Sequence, residues 1–191
     1  MDAEYPIAIE GGTLQLPGAG ARDIRFRPIL PTDQDALQRF HDQLSAQSIH
    51  QRFFGAMPLL GDEQARHFTQ VDGINRCALV ALHPADGSEL IGVARYDREG
   101  TSSTAEYACI IADRWQGLGL GTALTHALIR TAQANGIETM IAIVLPNNHQ
   151  MLDVLSYLGY PVQTSWDDDV ARVALDLRPA VAPLLPAAIA A

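Results

Sequence analysis

A chain of 191 residues with 48% hydrophobic and 18% charged residues suits one globular domain with a sizeable core, and excludes a disordered or fibrous architecture. A net charge of −9 speaks against general nucleic-acid affinity, which needs clustered cations to neutralise phosphates, and favours cationic partners. No apolar run reaches the length of about 18 residues that spans a bilayer, and the N-terminal MDAEYPIAIEGG lacks the order of a signal peptide, so a cytoplasmic protein without a membrane partner is expected.

Residues 1–22, rich in Gly, Ala and Pro, read as an N-terminal tail with a short strand at TLQL. The domain is expected over residues 23–178. It opens on DIRFRPI, where Ile24, Phe26 and Pro28 alternate with charged residues as a strand does. Thr32 and Asp33 mark a helix start, followed by Ala36, Leu37, Phe40 and Leu44 at helical spacing. LSAQSIHQRFFGAMPLLG reads as a short helix plus loop, and Asp62 as the N-cap of a helix carrying Ala65, Phe68 and Val71. RCALVAL, ELIGVARYD and STAEYACIIAD, separated by turn formers, predict an antiparallel meander.

The stretch Asp113–Leu128, DRWQGLGLGTALTHAL, then opens a helix that Gly136 stops. TMIAIVL is a continuous apolar run of the kind buried on both faces, NNHQMLDVLSYLG a further helix, and VARVALDL the last strand. The order β-α-α-βββ-α-β-α-β predicts a mixed α/β sheet covered by helices, and residues 179–191 read as a C-terminal tail. Cys77 and Cys109 lie in apolar segments without CxxC spacing and read as buried free thiols, and the six histidines show no ligand spacing, so no metal is expected.

The chemistry concentrates where Gly117, Gly119 and Gly121 open a helix. Glycine lets a ligand approach the backbone, and the unpaired N–H groups of a first helical turn attract anions, a phosphate above all. A Walker A loop would need a Lys after its last Gly, where Thr122 stands. A dinucleotide fingerprint would need G-x-G-x-x-G after a parallel strand, and neither condition is met.

Gln116-x-x-Gly119-x-Gly121 instead resembles the Q/R-x-x-G-x-G/A motif of the GCN5-related N-acetyltransferases (GNAT). Asn148, Met151, Gly159 and Tyr160 stand at the spacing of that family's later segment. LSAQSIHQRFFG, VARYD, AEYACIIADRWQGLGLGT and VLPNNHQML look like the catalytic domain of bacterial Pat-type protein lysine acetyltransferases. The resemblance covers about Asp23 to Leu177. It implies the α/β GNAT fold, a mixed, mostly antiparallel sheet of six to seven strands flanked by about four helices.

It implies acetyl-CoA as cofactor and CoA as product, with the pyrophosphate on the backbone from Gln116 and Gly117 through Leu118, Gly119, Leu120 and Gly121 to Thr122. The splayed end of the fourth family strand, Ile110, Ile111 and Ala112, would hold the pantetheine and the thioester carbonyl, and Asn148 and Met151 would contact the cofactor. Asn148 also reads as a simple N-cap.

Aminolysis of a thioester needs a neutral amine, so a base is required. Glu106, among small and apolar neighbours where partial desolvation would tune it, is the candidate; a structural ion pair with Arg95 is the alternative. Arg52 and Phe53 would line the acceptor cleft, with Phe54 as core, and Asp168 of WDDD could attract a lysine or simply belong to a solvated turn.

Many members carry a tyrosine acid where this chain has Leu155; Tyr157 lies about 200° round the helix from it. A CoA thiol near the cysteine pKa of about 8.5 leaves with little help, and Pat-type sequences share the departure.

The expected activity is direct acetyl transfer in a ternary complex to an amine, foremost a protein lysine. The alternatives are a small-molecule acceptor (polyamine, amino acid, antibiotic) or a non-catalytic CoA-sensing module; a homodimer fits any of these. All 13 basic residues are Arg, so the chain has no side-chain amine of its own to acylate.

Overall fold

Ile24 and Phe26 face the core while Asp23 and Arg25 are exposed, and this period of two builds the strand Arg22–Pro28 (β2). The computed structural model describes residues 11–16, 22–167 and 169–178. Gly12–Leu16 (β1) runs antiparallel to β2 with Leu14 opposite Ile24, so the strand expected at TLQL exists and the sheet begins upstream of Asp23. The C-terminal stretch 179–191 lies outside the described residues.

A 3-10 turn, Pro31–Asp33, leads into Gln34–Asp42 (α1). The Asp33 carboxylate accepts the Leu30 N–H at 2.7 Å and pairs with Arg27 at 2.6 Å, which fixes the helix start against β2. Ala46–Phe53 (α2) is capped by Ser45, whose Oγ accepts from the Ser48 amide. In Asp62–Thr69 (α3) the cap is Gly61, not Asp62 as expected. Asp62 is the first helical residue, and its carboxylate accepts instead from Gln38 Nε2 at 2.9 Å, tying α3 to α1.

The meander follows as Arg76–Leu82 (β3), Leu90–Asp97 (β4) and Thr104–Ile111 (β5). Leu120–Ala134 (α4) ends before Gly136, whose φ of 75° suits the stop that sequence assigned it. Thr139–Val144 (β6), His149–Tyr157 (α5), Val162–Asp167 (β7) and Val170–Asp176 (β8) complete the order.

The eight strands form one sheet, β1-β2-β3-β4-β5-β6-β8-β7, antiparallel throughout except for the β5–β6 pair that α4 connects. On one face α4 lies across β3, β4 and β5, and Tyr107 of β5 meets Thr125 of α4 at 2.7 Å. The other face carries α1–α3, where the Arg95 guanidinium sits over the Phe68 ring. Covered on both sides, β3 and β4 are almost wholly buried.

The sheet has one strand more than the upper expectation and, among the described residues, five α-helices. Every residue of β7 is exposed, so it carries no apolar alternation by which sequence could find it. The run TMIAIVL is corrected too: β6 alternates buried with half-buried residues, because Ile141, opposite the exposed Glu106, lies beyond the reach of the helices that cover β4 and β5 on that face. Among the described residues no helix is long and apolar enough to cross a membrane.

Candidate active site

The pairing of β5 with β6 runs only from Thr104↔Thr139 to Tyr107↔Ala142. Beyond Tyr107 the two strands part, and β5 stays paired to β4 alone as far as Ile111. A parallel strand that loses its neighbour leaves a row of backbone groups without ladder partners. Which groups these are follows from alternation. The Ala112 N–H donates to Ile91 O at 3.0 Å on the β4 side, so Ile110 also turns its backbone to β4, while Cys109 and Ile111 turn theirs to the gap.

The Ile111 carbonyl on that side accepts from Gln116 Nε2 at 2.9 Å. The N–H groups of Cys109 and Ile111 therefore point into the splay. Ala112, expected among the donors, is corrected: its amide is already committed, and Ile110, whose backbone turns to β4, lines the cleft without offering its N–H there.

A cleft of about 320 Å³ opens at this gap, and the glycine loop forms its mouth. Gly117 and Gly119 hold φ of 72° and 83°, a region that costs an L side chain about 1–2 kcal/mol, and a Cβ on Gly117 would project into open space. Gly119 is the N-cap of α4, and no side chain caps the helix. Because Ala123 N–H is the first to bond back, to Gly119 O, the amides of Leu120, Gly121 and Thr122 face the cleft mouth with the positive end of the helix dipole.

Of the loop residues, Gly117, Gly119, Gly121 and Thr122 line the cleft; the Leu118 side chain is exposed, and Leu120 packs in the core. Gln116 does not offer its amide to the mouth. Its Nε2 is spent on Ile111 O and on Ser48 Oγ at 3.0 Å. Ser48 Oγ in turn donates to Asp113 Oδ1 at 2.8 Å, and Asp113 also takes the Ser45 hydroxyl (2.6 Å) and amide (2.9 Å). Burial raises the Asp113 carboxyl, but these hydrogen bonds outweigh it and hold the group below the usual carboxylate range. The chain from Ser45 and Ser48 through Asp113 to Gln116 was not foreseen; its pieces lie 65 and more residues apart, and only a serine pair at i, i+3 hinted at a cap.

Glu106 stands on the cleft wall and is exposed, so the desolvation expected of it is absent. Its alternative reading fails as well, since Arg95 bonds Asp97 at 3.3 Å and not Glu106. Asn148 is an N-cap in fact: its Oδ1 accepts from the Met151 amide at 3.1 Å while the residue lines the cleft with Met151.

Arg52 reaches the cleft, but Phe53 turns away to stack against Phe68. Phe54, assigned to the core, is instead 44% exposed on the cleft wall, held at φ 58° as the C-cap of α2. Leu155 is buried in the core, whereas Tyr157 stands at the cleft rim. The Cys109 thiol, pushed up to about 11 by burial, stays protonated at neutral pH and is no nucleophile. Asp168 lies outside the described residues.

Residues 40–160 match the model of the acetyltransferase (GNAT) family. The acetyltransferase PA5475 of Pseudomonas aeruginosa is 31% identical over 158 residues, covering 81% of this chain and 85% of its own. The acetyltransferase Pat of Mycolicibacterium smegmatis is 30% identical over 155 residues, 81% of this chain but 46% of that protein, so the chain spans about half of that relative. Among solved structures, the GNAT domain of S. lividans PAT superimposes with a TM-score of 0.81 at 33% identity, over 91% of this chain and 99% of that one.

Proposed function

Since the chain belongs to the GNAT family of acetyltransferases, we propose that it transfers an acetyl group from acetyl-CoA directly to an amine, a protein lysine foremost, and does so in the cytoplasm. The observation that carries this reading is the convergence, in one cleft, of two outward N–H groups on β5 and the uncapped first turn of α4.

The residues present fit that cofactor. Three unpartnered amides and a glycine without a Cβ leave donors and room for a pyrophosphate at the mouth, and Cys109 and Ile111 leave donors for a carbonyl deeper in. When bound, acetyl-CoA supplies an activated acyl thioester. Leu120, Gly121 and Thr122 would hold its phosphates through their amides, and the N–H of Cys109 or Ile111 would polarise its carbonyl. A lysine amine near pKa 10.4 enters charged, and the Glu106 carboxylate, reached directly or through a water, takes its proton. The protonated Cys109 thiol and the commitment of the Ser48 hydroxyl to Asp113 favour direct transfer over a covalent acyl-enzyme. The resemblance of AEYACIIADRWQGLGLGT and VLPNNHQML to the Pat-type protein lysine acetyltransferases favours a protein acceptor.

The test is a transfer assay with labelled acetyl-CoA against a cell lysate. Label is expected on protein lysines; label appearing only on small amines, with lysine proteins untouched, overturns the protein acceptor. Glu106→Gln is expected to lower turnover by about 10²-fold, the range of a general base, while the affinity for CoA stays within about twofold. Unchanged turnover removes Glu106 from the mechanism.

A further inference from the structure

Beside the acyl-transfer cleft lies a second, smaller cavity of about 40 Å³, more than the roughly 10–15 Å³ that one water needs. The two share Arg52, Ala108 and Ile110, so the small cavity is a side chamber of the acceptor end. Its walls are mostly apolar, with Phe40, Phe53 and Phe68 among them. Yet three cationic or ionisable side chains face it: Arg52, Arg95 and His41.

None of the three is fully partnered among the described residues. Arg95 has a side chain only 7% exposed and leaves Nη2 with no hydrogen bond. Its Nε contact, Asp97 at 3.3 Å, is shared with Arg76, which holds the same carboxylate at 2.9 Å. Both ring nitrogens of His41, 3% exposed, lack a hydrogen bond, and its nearest carboxylate, Asp42, is 3.8 Å away. Arg52, half-buried, makes no hydrogen bond or ion pair among the described residues; its guanidinium lies over the Phe53 ring at 4.9 Å. Its pKa is lowered to about 10, first by burial and then by Arg95. Buried donors left unpaired are costly, and two guanidiniums at one apolar chamber repel each other. A planar anion with two acceptor oxygens relieves both penalties, which is the chemistry of a carboxylate on an arginine fork.

We infer that the acceptor carries a carboxylate, and that this group seats on Arg52 and Arg95 in the side chamber while the amine lies in the cleft. The inference rests on the N-acetyltransferase reading and narrows its substrate class: an amine with an anionic group close by. Two sources supply that chemistry, an Asp or Glu side chain beside the lysine of a protein and the α-carboxylate of a free amino acid.

Calorimetry on the full chain saturated with CoA tests this without relying on turnover. One probe pair is two lysine peptides that differ only in a Glu or a Gln beside the lysine; the other is lysine against lysinamide. The carboxylate member of at least one pair is expected to bind about tenfold tighter or more, as a charge-assisted fork requires. The first pair showing the preference identifies a protein side chain as the source, the second a free amino acid.

Arg52→Gln is expected to abolish the preference, and Arg52→Lys, which keeps the charge without the fork, to retain part of it; circular dichroism of both variants reports that the fold is intact. Equal affinities within both pairs, or a preference that survives Arg52→Gln, overturn the inference. Labelled transfer run in parallel separates the two readings. A binding preference without acetylation of any acceptor sinks the catalytic reading and leaves the chamber standing, and acetylation without preference does the reverse.

Discussion

Phe54 closes α2 with φ at 58°, the only described non-glycine residue at positive φ, and its ring is 44% exposed on the cleft wall. A left-handed conformation costs a side-chain-bearing residue about 1–2 kcal/mol, and strain of this sort collects at functional sites. Phe54→Gly is therefore expected to raise unfolding stability by about 0.5–1 kcal/mol, read as a later denaturant midpoint at unchanged slope, while weakening acceptor binding. A less stable variant would show that the ring's contacts outweigh the backbone strain. From sequence, Phe53 and Phe54 are two adjacent aromatics with nothing to tell the cleft residue from the packed one. The helix ends between them, and the reversal of the chain at Phe54 sends the two rings opposite ways.

Among the elements, α2 and the glycine loop are joined through one carboxylate. Asp113 accepts from Ser45 twice and from Ser48 once, and Ser48 accepts from Gln116, so the helix that bears Arg52 is fixed to the loop that opens α4. Asp113→Ala removes the acceptor of the Ser45 and Ser48 groups and with it this tie, and is expected to cost about 1–2 kcal/mol and to raise the KM for the acceptor more than that for acetyl-CoA.

The pH dependence has a definite sign. The folded-state pKa of Asp113 is below its unfolded value of about 3.9, so its contribution is complete above that value and fades as pH falls through the lower, folded one. Acid titrations of the parent and the Ala variant should converge below about pH 4, and a gap that widens there would contradict the assignment. Strands buried on a sheet face, β2 to β5, were legible through alternation or apolar runs; β7, exposed along its whole length, had no hydrophobic signature to read.

For the molecule as a whole, the fold places the donors of the cofactor site on two elements that only the sheet's divergence brings together. Ligand binding at that point should slow hydrogen exchange at Cys109, Ile111 and Leu120–Thr122 while leaving β1 to β3 unchanged. Saturation at about 100 times Kd should add about 2.7 kcal/mol of stability. Protection spread evenly over the sheet, or confined to α5, would place the cofactor elsewhere.

By itself the sequence determined the order of most elements and the anion-binding loop, because these depend on local periodicity, glycine conformation and the spacing from Gln116 to Gly121, all carried within one short stretch of chain. The tertiary structure decided the rest. Which β5 amides are free depends on where β6 parts from β5 and on the bond from Ala112 to Ile91. Whether Glu106 is desolvated depends on how far the helices reach, and the meeting of Arg52 with Arg95 depends on α2 packing over β5 beside β4. These are relations between residues far apart in the chain, and no local pattern encodes the distance between them.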